Sequence, residues 1–129
     1  MKFFFLLTTC FFLNACTAPA NMARSAEKLS QAQEKAAQAE ARADMASLRI
    51  NLMVASIDGG NKALEVMDCD DARLGEPRPL ELLKLTQCKA QIISDSDYTI
   101  AAEFNNGFAF VADQDGVRQV EVTALPVLN

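Results

Sequence analysis

Histidine and tryptophan are both missing from this chain, and tyrosine occurs once. Without imidazole the protein lacks the usual neutral-pH general base and the commonest nitrogen ligand for a metal. Glycine is scarce at five residues, and none builds a phosphate-cradling loop or a Gly-x-Ser-x-Gly nucleophile elbow. Lysine and arginine number twelve against seventeen acids, for a net charge of −5. No stretch is basic enough to bind nucleic acid by counterion release, so that class is excluded. No apolar run approaches the ~20 residues that span a bilayer. Paired carboxylates for glycoside chemistry are available, but a small head leaves little room for a cleft. The expectation is a protein that is not an enzyme and holds no cofactor or metal.

What is present begins with Lys2 and an apolar segment from 3 to 13, the length of a signal-peptide core. It ends in Leu13-Asn14-Ala15-Cys16. These residues resemble a bacterial lipobox: Leu13, Ala15 and Cys16 match, while Asn14 occupies a position that usually holds a small or aliphatic residue. The resemblance implies a signal peptide over 1–15, cleavage before Cys16, lipidation of that thiol and a tether over 16–21. Acyl chains such as palmitate would supply ~0.8 kcal/mol of membrane affinity per buried methylene. An ordinary secretory signal with an incidental cysteine is the alternative. In enterobacterial-type sorting, Thr17 in place of aspartate implies the outer membrane. The expected location is therefore the bacterial cell envelope, lipid-anchored and facing the periplasm.

From Met22 the chain turns to alanine, glutamine and charge, and no glycine or proline appears until Gly59-Gly60. Strong helix formers without a breaker predict a helix over 22–57, roughly 50 Å long. Met22, Leu29, Ala36, Ala43, Ile50 and Ile57 recur every seven residues, with Ser25, Ala32, Ala39, Ala46 and Met53 three positions on. This is an a/d heptad, whose seam runs through Leu29, Ala32, Ala36, Ala39, Ala43, Ala46, Ile50 and Met53. The g positions carry Lys28, Lys35, Arg42 and Arg49, and the e positions Gln33 and Glu40, so Lys35 could face Glu40 of a parallel neighbour. The pattern predicts a coiled coil and a homo-oligomer; a lone solvated helix is the alternative reading of an alanine-rich repeat. Met45, Leu48, Leu52 and Val54 add apolar residues outside the seam, predicting that this end also packs on the globular part. Residues 33–44 are similar to the alanine-rich coils of murein-type lipoproteins. Those proteins, however, finish in a lysine for peptidoglycan attachment, whereas this chain ends Val127-Leu128-Asn129.

Beyond residue 58 the period changes to two. Residues 98–104, 108–113 and 117–125 read as strands, separated by Asn105-Asn106-Gly107 and Gln114-Asp115-Gly116. Thr86, Cys88, Ala90 and Ile92 alternate with polar residues as a preceding strand, and Leu64 and Val66 suggest another. Residues 79–85 fit either a helical turn or a strand. The expected fold is α+β, a long N-terminal amphipathic helix followed by an antiparallel sheet of four or five strands over 58–129. Its outline is similar to that of pilin-like subunits, whose helix is apolar where this one is amphipathic.

Tyr98, Phe104, Phe108 and Phe110 sit at strand spacing and are expected in the core. Acids cluster at Asp68-Cys69-Asp70-Asp71, Asp95-Ser96-Asp97 and Asp113-Gln114-Asp115, but none keeps the ligand spacing of a calcium loop. Turn chemistry accounts for them better. Once Cys10 is cleaved away and Cys16 is lipidated, Cys69 and Cys88 are the two thiols left in an oxidising compartment, and a disulfide is expected. Two free thiols or a bridge between chains are the alternatives. The expected role is a non-enzymatic lipoprotein, oligomerised by its coil, whose head binds or braces an envelope protein or peptidoglycan. A monomeric ligand-binding or inhibitor lipoprotein is the second reading.

Overall fold

A computed structural model describes residues 18–58, 65–94 and 96–129. Helix α1 spans Ala18–Asp58. It starts four residues before the expected boundary, with Pro19 in the first turn, where a fixed φ and a missing N–H cost nothing. The signal peptide, Cys16 and Leu64 lie outside the described residues. By its internal contacts the chain divides into two compact units, one ending at Lys35 and one running from Ala36 to Asn129. In the first, every described side chain from Met22 to Lys35 is exposed.

In the second unit, five strands form one antiparallel sheet: β1 (Glu65–Asp68), β2 (Leu85–Ser94), β3 (Asp97–Phe104), β4 (Ala109–Asp113) and β5 (Gly116–Val120). Their spatial order is their chain order, a simple meander. The turn residues explain the connections. Asp113 and Gly116 close a two-residue hairpin, in which the Asp113 carboxylate accepts the Asp115 N–H at 3.0 Å and receives Arg118 at 2.5 Å. Asn106 accepts the Phe108 N–H at 3.1 Å, and Gly107 takes φ +83°, a conformation that strains residues with a Cβ. Two of the acid clusters therefore act as turn and cap formers: Asp71 likewise accepts the Arg73 N–H at the start of the 3-10 turn Ala72–Leu74.

One face of the sheet meets the helix. Tyr98, Ile100, Ala102 and Phe104 of β3 point into the core, with Ala90 of β2 and Phe110 and Ala112 of β4. Register places Ala90, Ile100 and Ala112 side by side, and Cys88, Ala102 and Phe110 in the next row. Small and large side chains thus alternate across the strands, leaving space for helix residues to interdigitate. Phe110 lies edge-on to both Phe104 and Phe108, at 5.9 and 6.5 Å between centroids. The four aromatics read as core are core; Phe108 is the partly exposed one.

The last strand departs from expectation. It stops at Val120 and gives way to a 3-10 turn, Val122–Ala124, where a strand to residue 125 was expected. The remaining residues run along the face of the sheet opposite the helix. Gln91 donates to the Asn129 carbonyl at 3.4 Å, and Leu125, Val127 and Leu128 border a cavity of about 460 Å³ with Lys89, Ala101 and Glu103. Ala101, Ala109 and Val111 on this second face are buried. Such a segment needs no ladder hydrogen bonds, and Pro126 could not have donated one. Residues 79–84 are neither helix nor strand.

Candidate functional site: a helix with two faces

From Ala36 onward, α1 places different residues on two opposite sides. Ala37, Ala41, Asp44, Met45, Leu48 and Leu52 are buried, at the spacing of three and four that marks one helical face. In heptad terms they occupy b, c and f. Polar side chains at the margins of this face fasten the helix to the sheet and its loops. Glu40 accepts the backbone N–H groups of Glu81 and Leu82 at 2.6 and 2.9 Å. Arg49 donates to the Tyr98 hydroxyl at 2.8 Å and to the Gln114 carbonyl at 3.0 Å. Asn51 donates to the Leu74 carbonyl at 2.7 Å, and Gln38 bonds Gln119.

The other side carries the heptad seam. Ala36, Ala39, Ala43, Ala46, Ile50 and Met53 are all exposed, Ile50 by 62% and Ile57 by 77%. In the first unit Leu29 and Ala32 are exposed too. None of the expected seam residues is used by the fold of the single chain. The apolar excess at residues 45–57 packs on the globular part only in part: Met45, Leu48 and Leu52 enter the core, while Val54, expected with them, stays 51% exposed because it lies on the side of the helix that turns away from the sheet. The Lys35–Glu40 pairing across a coil meets a competitor, because Glu40 already holds the 81–82 segment of its own chain.

The buried face could have been found in the sequence. Positions c and f hold Arg24, Glu27, Gln31, Glu34 and Gln38 at first, then Ala41, Met45, Leu48, Leu52 and Ala55. The change from charged to apolar at residue 41 is the sign that a second surface packs there.

Cys69 and Cys88 form the expected intrachain disulfide, with Cα atoms 5.4 Å apart. It prolongs the β1–β2 ladder by one pair beyond Asp68 and Lys89, where the Cys69 N–H also donates to the Cys88 carbonyl at 3.4 Å. The bridge thereby closes the connection that contains Gly75, Pro77 and Pro79. Among the described residues, no three acidic or cysteine side chains are placed to hold a metal ion. No helix among them is long and apolar enough to cross a membrane. No protein-family model matches the chain, and no curated protein or solved structure matches it significantly.

Proposed function

We propose that the protein is a non-enzymatic lipoprotein of the bacterial outer membrane, anchored through Cys16, which self-associates along the heptad face of α1. Its sheet head then binds or braces another envelope component, an envelope protein or peptidoglycan. One observation carries this reading: the fold buries b, c and f positions of the helix and leaves every a and d position in solvent. A repeat that the single chain does not use is explained by a partner that does. The basic g row of Lys28, Lys35, Arg42 and Arg49 sets the direction, because antiparallel copies would bring these charges together. A parallel pair avoids that, and two lipid anchors in one membrane favour the same arrangement.

The test is Ala36→Asp with Ala43→Asp. Both positions are exposed, so the single chain should keep its fold while a coil would bury like charges and dissociate. Sedimentation should show the wild type associating with concentration and the double variant as a monomer. A wild type that stays monomeric at every concentration refutes self-association. The anchor is tested separately by fatty-acid labelling: wild type should take up label and Cys16→Ser should not, and an unlabelled wild type refutes the lipoprotein. The second reading, a monomeric ligand-binding or inhibitor lipoprotein, draws on the helix already burying one apolar face on its own sheet.

A further inference from the structure

Asp44 sits on the buried face of α1, between Ala41 and Leu48, and is 4% exposed. Its Oδ2 atom is fully enclosed and meets no hydrogen-bond partner. A buried carboxylate oxygen left in this state is costly, and such atoms in folded proteins are ordinarily met by a donor. Here the carboxylate borders a cavity of about 70 Å³. Ser47 and Asn51, three and seven residues on, share its wall, and Asp70, Glu76 and Arg78 of the β1–β2 connection face them. A single water needs about 10–15 Å³, so the space takes several waters or one small polar molecule.

The chemistry of the wall selects the sign of the occupant. Three carboxylates stand against one guanidinium, and the Arg78 charge acts on Asp44 without reaching Oδ2. Burial pushes the Asp44 carboxyl above its ordinary range, a shift that a cation bound beside it would reverse. Three acids or thiols do not converge on one point among the described residues, which disfavours a chelated metal. A group with several N–H donors on one small centre suits the cavity better.

The wall is also held in place. Asn51 is fixed by its bond to the Leu74 carbonyl, and Gly75 takes φ +81° beside it, where a Cβ would lie 3.5 Å from the Asn51 amide nitrogen. The disulfide secures Cys69 at the start of the connection, and Asp71 is locked by the Arg73 guanidinium at 2.8 and 2.9 Å. Little ordering would be needed on binding.

The geometry points to a binding site for a primary alkylammonium group, with Asp44 accepting one N–H through Oδ1, the carboxylate oxygen that is not enclosed, and the side-chain oxygens of Ser47 and Asn51 accepting the others. The site is independent of self-association, since every wall residue lies within the second unit. The probe is ethylammonium chloride added to the isotopically labelled protein, followed by amide chemical shifts at constant ionic strength. Ethanol serves as the neutral isostere and tetramethylammonium as the cation without N–H donors. Saturable shifts at Asp44, Asn51 and Gly75 are expected with ethylammonium alone. Asp44→Asn should weaken the response at least tenfold, Asp70→Asn should weaken it less, and Arg78→Gln should tighten it by removing a competing charge. Shifts that fail to saturate, that appear equally with ethanol, or that survive unchanged in both aspartate variants overturn the site.

Discussion

Leu52 and Ile50 stand two residues apart on α1, yet the fold assigns them opposite environments: Leu52 is fully buried and Ile50 is 62% exposed. Leu52→Ala removes three side-chain carbons from a packed site, about 2.4 kcal/mol at ~0.8 kcal/mol per methylene. The cavity left behind adds to this, for a total of about 3–4 kcal/mol, within the range seen for large-to-small core changes. For a domain of this size the shift in Tm is roughly 15–25 °C. Ile50→Ala loses little contact in the single chain and gains helix propensity, so its effect should stay within about 0.5 kcal/mol. Urea unfolding, followed by helical circular dichroism and by Tyr98 fluorescence, reads both variants. With no tryptophan and one tyrosine, the emission reports one buried site, hydrogen-bonded by Arg49. The measurement belongs at dilutions where sedimentation shows monomer. Equal losses in the two variants there, or a Leu52→Ala cost below about 1 kcal/mol, would refute the assignment of faces.

Reducing the Cys69–Cys88 bridge should cost about 3 kcal/mol by the chain-entropy estimate for a loop of this length. Hydrogen exchange should then rise along Glu65–Asp68 and its partners in β2 while helical residues 22–35 are unaffected; unchanged protection of β1 refutes the role given to the bridge. Asp44 has a raised folded pKa, because burial outweighs the Arg78 charge and Glu40 adds to the effect. Its ionised form therefore costs stability above that pKa, and the cost is relieved as pH falls toward the unfolded value of 3.8. Asp44→Asn should raise the urea midpoint at neutral pH, by a margin that shrinks on acidification; a margin independent of pH refutes this. Asp113 runs the other way. Burial would raise its carboxyl, but hydrogen bonds from Arg118 and the Asp115 N–H hold it low, so its contribution is present above 3.8 and fades as pH drops through the folded pKa.

Much of the fold was legible because its signals are local. Asn106-Gly107 and Asp115-Gly116 mark reversals through backbone conformations set within a few residues, so β3, β4 and the start of β5 follow from the chain. The helix follows from strong helix formers with no glycine or proline between Met22 and Gly59. The end of β5 did not follow, because residues 121–125 are β-prone and only the sheet's second face decides that they cross it instead of continuing the ladder. Glu40 reads as an e position of the coil and Asn51 carries no signal of its own; their roles as acceptor for a segment 41 and 42 residues away and donor to one 23 residues away needed the tertiary contacts.

By itself, then, the sequence determined which residues share a face of α1 and where the strands turn, and it left Cys69 and Cys88 as the expected pair once Cys10 and Cys16 are set aside. Each depends on geometry that repeats along the chain or on simple counting. Only the tertiary structure decided which side of the helix meets the sheet and which is left in water. Alanine is compatible with either environment, so a periodic stripe of it names a face without naming what covers that face. The same holds for Asp44: its charge is written in the sequence, but its buried, unmet oxygen exists only because the β1–β2 connection closes over it.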